Sequence, residues 1–152
     1  MNKTYWLFDG FLTIHNDEKD TDGRYDLVEG LFPPGIETPL HAHSRYSETL
    51  YVLEGEFTVY TEKGATVLKP GEQFFIPIGA PHAVVNSGTG FSKGIAVASP
   101  SGFAELIRNV GHPGELNGER PASSGDMEAF MKFSDKLGDV LMGPPGSRPA
   151  VK

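Results

Sequence analysis

The sequence predicts an all-β fold, a closed barrel or two-sheet jelly roll followed by one or two short helices, and three observations point there. Turn-forming residues recur at short intervals. The pieces between them have strand length and are rich in aromatic and β-branched residues. The 152 residues also include 19 glycines and 12 prolines, a balance that favours many turns over long helices. A chain of this length can bury one substantial core, so residues 1–152 are expected to form a single domain. Its barrel would span about 4–98 and a helical extension about 101–152.

The expected strands, in order, are Tyr5 to Phe8, Phe11 to Ile14, Arg24 to Phe32, Thr49 to Leu53, Phe57 to Tyr60, Ala65 to Leu68, Gln73 to Ile76, His82 to Val85 and Phe91 to Ala98. Breakers separate them: Asp9-Gly10, Asp22-Gly23, Pro33-Pro34-Gly35, Glu54-Gly55, Lys63-Gly64, Pro70-Gly71, the run from Pro77 to Pro81, and the run from Asn86 to Gly90. From Ser101 the pattern changes. Phe103, Leu106, Ile107 and Val110 fall at helical spacing, with Ser101 placed as cap and Gly111 as stop. A second helix is expected from about Asp126 to Leu137, capped by Ser123 or Ser124 and ended by Gly138, with both helices on the outside of the barrel. The segment from His112 to Ser124 and the tail from Gly143 to Lys152 read as linkers.

Composition excludes several function classes. Thirteen basic against twenty acidic residues give a formal charge of -7, and no Lys/Arg cluster appears, so a nucleic-acid partner is not expected. Without cysteine there is no disulfide, thiolate ligand or Cys nucleophile, and any metal site must be built from His and carboxylates. The apolar stretch Tyr5 to Phe8 is too short for a signal-peptide core or a membrane span. A cytoplasmic location without membrane association is the resulting expectation.

The chemistry centres on four residues. His41 and His43 lie two apart, so on a strand both rings project from one face. Glu48 follows at an odd offset of five, which requires a bend or bulge in Ser44-Arg45-Tyr46-Ser47 if it is to join them. His82 starts its own strand. Three imidazoles and one carboxylate suit a first-row divalent ion, Fe, Mn, Ni, Co, Cu or Zn, with positions left open for substrate. His15 and His112 have no ligand spacing to anything and receive no role.

These residues sit in two spaced patterns. The first runs Gly35, His41, His43, Glu48, Gly55, and the second Gly71, Pro77, Gly79, His82, Asn86. Both resemble the two motifs of the cupin superfamily at every spacing. The late segments Ser99-Pro100-Ser101-Gly102-Phe103 and Leu141-Met142-Gly143-Pro144-Pro145 are similar to small single-barrel cupins described as quercetin-dioxygenase-like. This resemblance implies a double-stranded β-helix holding one divalent transition metal on His41, His43, Glu48 and His82.

It also implies a metal-dependent dioxygenase acting on a small enolic or phenolic, flavonol-like compound, with Glu48 taking the substrate proton. A non-oxidative isomerase, lyase or cyclase and a binding protein without catalysis are the alternatives. Tyr46, Phe57 and Phe75 are candidate substrate contacts, although aromatic residues in strands more often belong to the core. A homodimer is expected, partly through the apolar N-terminal strands extending a neighbour's sheet.

Overall fold

The computed structural model describes residues 3–122 and 125–152. Two antiparallel sheets pack as the double-stranded β-helix that the sequence predicts. One contains β1 (Thr4–Leu7), β2 (Gly10–Asn16), β3 (Asp26–Phe32), β5 (Ser47–Glu54), β8 (Gln73–Ile76), β10 (Ser92–Ser99) and β11 (His112–Pro113), in the spatial order β11-β1-β2-β3-β10-β5-β8. The other contains β4 (Leu40–His43), β6 (Phe57–Thr61), β7 (Gly64–Leu68), β9 (His82–Asn86) and β12 (Asp139–Gly143), in the order β12-β4-β9-β6-β7. Three helices complete the fold: α1 (Glu18–Thr21), α2 (Phe103–Val110) and α3 (Asp126–Leu137).

All nine expected strands form within two residues of their expected bounds. Two motif residues explain part of that regularity. Gly55 has φ +78, and a Cβ there would collide with Ser92 Oγ and lie 2.8 Å from Phe91 O, so the turn between β5 and β6 closes only on glycine. Asn86 is buried and fully used: Nδ2 donates to Phe32 O (2.8 Å) and Gly90 O (2.9 Å), while Oδ1 accepts from Gly88 N (2.9 Å) and Ser92 Oγ (2.8 Å). One side chain thereby ties β3, β9 and β10 together.

The helices do not lie on the outside of the barrel. Ala104, Leu106, Ile107 and Val110 of α2, with Phe130 and Leu137 of α3, share one core with residues of β1, β2 and β3. The physical reason is the unequal width of the sheets. Strands β1 to β3 extend the seven-stranded sheet past its five-stranded partner, and their apolar inner face needs a cover that the second sheet cannot supply. A second core, around Val52, Phe57, Val59, Leu68, Ile76 and Val84, fills the space between the sheets proper.

Ser101 does not cap α2, since Gly102 is the N-cap residue and carries no side-chain cap bond. The cap comes from β3 instead, where buried Asp26 accepts from Gly102 N and Ala104 N, both at 2.9 Å, through Oδ2. The capping serines expected for α3 lie outside the described residues; its stop is Gly138, left-handed at φ 76.

The C-terminal segments are not free linkers. β12 pairs with β4, β11 pairs with β1, and the last residues dock on the chain's own barrel: Gly146 N donates to Glu37 Oε1 at 2.5 Å, Arg148 stacks on Tyr60 at 4.1 Å, and Lys152 N reaches Glu62 O at 2.8 Å. Tyr5 and Trp6 of β1 pair with Pro113 and His112, so β11 and not β1 stands at this end of the seven-stranded sheet. No described helix is long and apolar enough to cross a membrane.

Replacing Asp26 by Ala removes both bonds to the α2 N-terminus. Urea denaturation should show a loss of about 1–3 kcal/mol, and a loss below about 0.3 kcal/mol would contradict the assigned cap.

Candidate metal centre

His41 and His43 lie on β4, a four-residue strand whose every residue is buried. Their spacing of two puts both rings on one face, towards the opposite sheet. β9 runs alongside with His82 in register with His41, so the third ring arrives on the neighbouring strand. The turn that delivers it is pinned by Gly79 N donating to His43 O at 2.7 Å.

Glu48 comes from the other sheet. After His43 the chain bends through Ser44 to Tyr46 and leaves β4 for β5, which resolves its odd offset. The bend expected from the sequence is therefore a crossing between sheets.

The result is a compact, dry cluster. Ring centroids are 4.7 Å apart for His41 and His43, 4.3 Å for His41 and His82, and 5.2 Å for His43 and His82. All four side chains are buried. His41 Nδ1 donates to Pro39 O (2.7 Å) and His82 Nδ1 to Ala80 O (2.9 Å), since a carbonyl can only accept. His43 Nδ1 meets Asp139 Oδ1 at 2.5 Å. Each ring thus has its Nδ1 occupied and keeps Nε2 for a ligand.

Those inward nitrogens are what make the group fit a metal. Nε2 of His43 and of His82 face Glu48 Oε2 at 3.2 and 3.4 Å, yet neither has a hydrogen-bond partner although both are shielded from solvent. Orphaned buried donors or acceptors are costly unless something satisfies them. One ligand atom from each of His41, His43 and His82 lies within 4.8 Å of the others, so these three histidines form a group that could hold a metal ion. Ligands about 2.1 Å from a common ion are at most about 4.2 Å apart, so only sub-ångström to ångström ring movements are needed.

Electrostatics separate the members. Burial, aided by the neighbouring imidazoles, holds His41 well below its ordinary range. Burial alone would lower His43 too, but Asp139 and Glu48 on its two sides outweigh it and raise the ring to about 9. For Glu48, burial acts upward and is overcome by His43 and His82, which leave the carboxyl far below the usual range.

The cluster forms one pole of a cavity of about 100 Å³. Leu50, Val52, Phe57, Leu68 and Val84 wall it from the inter-sheet core, and Phe103, Leu106 and Phe130 from the helices. No Lys or Arg lines it among the described residues. Phe57 therefore stands where a substrate contact was expected, edge-on to Phe32 at 5.5 Å.

Tyr46 and Phe75 do not. Tyr46 is buried on the far side of His43, stacked on that ring at 4.4 Å with its hydroxyl donating to Asp139 Oδ1 at 3.0 Å. Phe75 is 54% exposed, because Phe74 and Ile76 take the inner face of β8 and strand alternation turns Phe75 outward. Neither residue lines the cavity. Asp139, a functional neighbour that sequence reasoning misses, carries no local signal, since it meets His43 across a separation of 96 residues.

The family model for the cupin domain matches residues 28–97, the stretch that carries all four inward-facing groups. Over that stretch the central barrel is similar to a cupin domain. Quercetin 2,3-dioxygenase from Bacillus subtilis (strain 168) is 31% identical over 98 residues, covering 64% of this chain and 29% of the relative. The chain thus spans under a third of that enzyme's length.

Among solved structures, an RmlC-like cupin from Shewanella frigidimarina NCIMB 400 is 27% identical with a TM-score of 0.55, covering 66% of this chain and 86% of the other. The polyketide cyclase RemF from Streptomyces resistomycificus is 26% identical with a TM-score of 0.57, covering 66% and 75%.

Ligation needs an unprotonated His43 Nε2, whereas the metal-free ring holds its proton up to about pH 9. Apparent metal affinity should therefore fall about tenfold per unit as pH drops below 9. That onset is well above the window of pH 6 to 5 that an ordinary histidine would give. Chelator competition between pH 6.5 and 9 measures it, and a flat profile from pH 9 to 7 would refute the coupling.

Proposed function

We propose that the protein is a metal-dependent dioxygenase for a small enolic or phenolic, flavonol-like compound, with one divalent ion held by His41, His43, Glu48 and His82. The observation that carries this reading is the composition of the cavity: four metal-ligating groups, walls that are otherwise apolar except for Thr38 and Tyr51, and no Lys or Arg among the described lining residues. A polycarboxylate, sugar acid or sugar phosphate would bury charge without a partner there. A neutral aromatic body with one acidic hydroxyl fits the same walls through Phe57, Phe103 and Phe130. The similarity to quercetin dioxygenase supports the same substrate class.

Bound ion supplies Lewis-acid stabilisation of an enolate or phenolate and an electron path to dioxygen. The chain's own part is positional. His41, His43 and His82 present their Nε2 atoms with the opposite nitrogens pinned. Glu48, on the facing sheet, takes the hydroxyl proton of the entering substrate. The apolar walls exclude water from the reacting oxygen.

A second reading is a non-oxidative cyclase, isomerase or lyase acting on an enolic substrate, supported by the similarity to RemF. Activity that persists without oxygen identifies it. Single-domain organisation across residues 1–152 and a homodimer belong to the same proposal, and sedimentation that finds only monomer at micromolar concentration would remove the dimer.

Protein loaded separately with Fe, Mn, Co and Ni should consume oxygen in the presence of a flavonol or small enolic diketone, in a metal-dependent and substrate-dependent way. No uptake at full metal occupancy, with product still formed anaerobically, would transfer the function to the second reading. Glu48→Gln should lower turnover by more than tenfold with a smaller loss of bound metal, while His82→Ala should lower both. Equal losses from the two changes would argue against the base role.

A further inference from the structure

The three histidines are not equivalent. His41 and His82 donate Nδ1–H to backbone carbonyls two residues upstream, Pro39 O and Ala80 O, whereas His43 faces the Asp139 carboxylate. A carbonyl orients an imidazole. A carboxylate also pushes electron density through the ring towards Nε2, and does so more strongly in a dry site.

Asp139 is placed by several independent constraints. It lies opposite His43 in the β12–β4 pairing and is 1% exposed. The preceding Gly138 is left-handed at φ +76, and a Cβ there would sit 2.7 Å from both Arg45 Nε and Ser44 Oγ. Gly138 O accepts from Ser44 N at 3.0 Å and from Ser44 Oγ at 2.5 Å, so the end of α3 is clamped to the bend that follows β4. Tyr46 stacks on His43 and donates to the same oxygen, Asp139 Oδ1, that faces the ring. Gly138, Asp139 and α3 lie outside residues 28–97, the stretch that the cupin domain model matches.

We infer that Asp139 is a positioning residue that makes His43 the strongest of the three imidazole donors, with Tyr46 moderating it through the shared oxygen. The inference rests on the metal reading above and not on the identity of the reaction. Removing the carboxylate charge weakens donation from Nε2. Removing the tyrosine hydroxyl frees Asp139 Oδ1 for His43 alone and strengthens it. Opposite changes at two adjacent, similarly buried side chains set this role apart from packing, because loss of packing would act in one direction.

The test uses the full chain with Asp139→Asn and Tyr46→Phe, both close in shape to the native residues. Co(II) affinity, corrected for the protons released on binding, is measured by chelator competition and the midpoint potential of the iron-loaded protein by spectroelectrochemistry. Asp139→Asn should weaken Co(II) binding about 10–100-fold and raise the midpoint potential, while Tyr46→Phe should lower that potential. Wild-type affinity and potential in Asp139→Asn would overturn the inference, and so would shifts of the same sign in the two variants. Should Asp139→Asn fail to fold, an unmoved or raised potential in Tyr46→Phe overturns it alone. Wild-type protein that takes up no metal defeats the metal reading and this inference together, whereas tight wild-type binding with unresponsive variants defeats only the latter.

Discussion

Burying three imidazoles and a carboxylate between two sheets is costly for each polar atom left without a hydrogen bond or a ligand, and much of the architecture follows from that constraint. An unpaired buried polar group costs about 1–3 kcal/mol and a charged one more, against a total domain stability of about 5–15 kcal/mol. Two of the acceptors are supplied locally. Pro39 and Ala80 each stand two residues before a histidine, in segments where Pro39 and Pro81 restrict the backbone. The third, Asp139, comes from the far end of the chain. The C-terminal strand is therefore part of the site's solvation and not an appendage to the barrel.

The same constraint shapes the cavity. One pole gathers the polar groups that must be paired, so the remaining wall can be apolar, and each of the two cores contributes to it. Helix α3 belongs to the first core and also lines the cavity. Phe130 reaches the cavity near His41, with ring centroids 6.2 Å apart, and the same helix ends at Gly138, one residue before Asp139. A change in how α3 packs is thus felt at both the wall and the outer side of His43.

Local grammar made most of this legible in the sequence. Turn residues and β-branched runs located the nine strands, and the odd offset of Glu48 already demanded a bend or bulge between it and His43. What escaped reading was long-range. Asp26 caps α2 across 76 residues and Asp139 meets His43 across 96, and no spacing rule links such partners. Ser101 looked like a cap because the local signal was present, but a buried carboxylate from β3 reached the free N–H groups instead. Phe75 differs, since its outward direction follows from alternation with Phe74 and Ile76 and could have been read. Tyr46 could not, because a residue in a bend between sheets has no period to place it.

Charge balance joins the site to its substrate class. Two carboxylates, Glu48 and Asp139, flank His43, and no Lys or Arg lines the cavity among the described residues, so without metal the imidazoles beside them offset their charge. A divalent ion that displaces the His43 proton compensates both carboxylates with the imidazoles neutral, whereas a monovalent ion leaves one uncompensated in a low-dielectric interior. A substrate that enters neutral and gives its proton to Glu48 preserves the balance, because the charge created on its oxygen is removed from the carboxylate. One that enters as a dianion does not, and nothing on the apolar wall can repair the difference. Under the function proposed above, the donor set and the mostly apolar wall together favour a neutral molecule that becomes an anion only after it is inside.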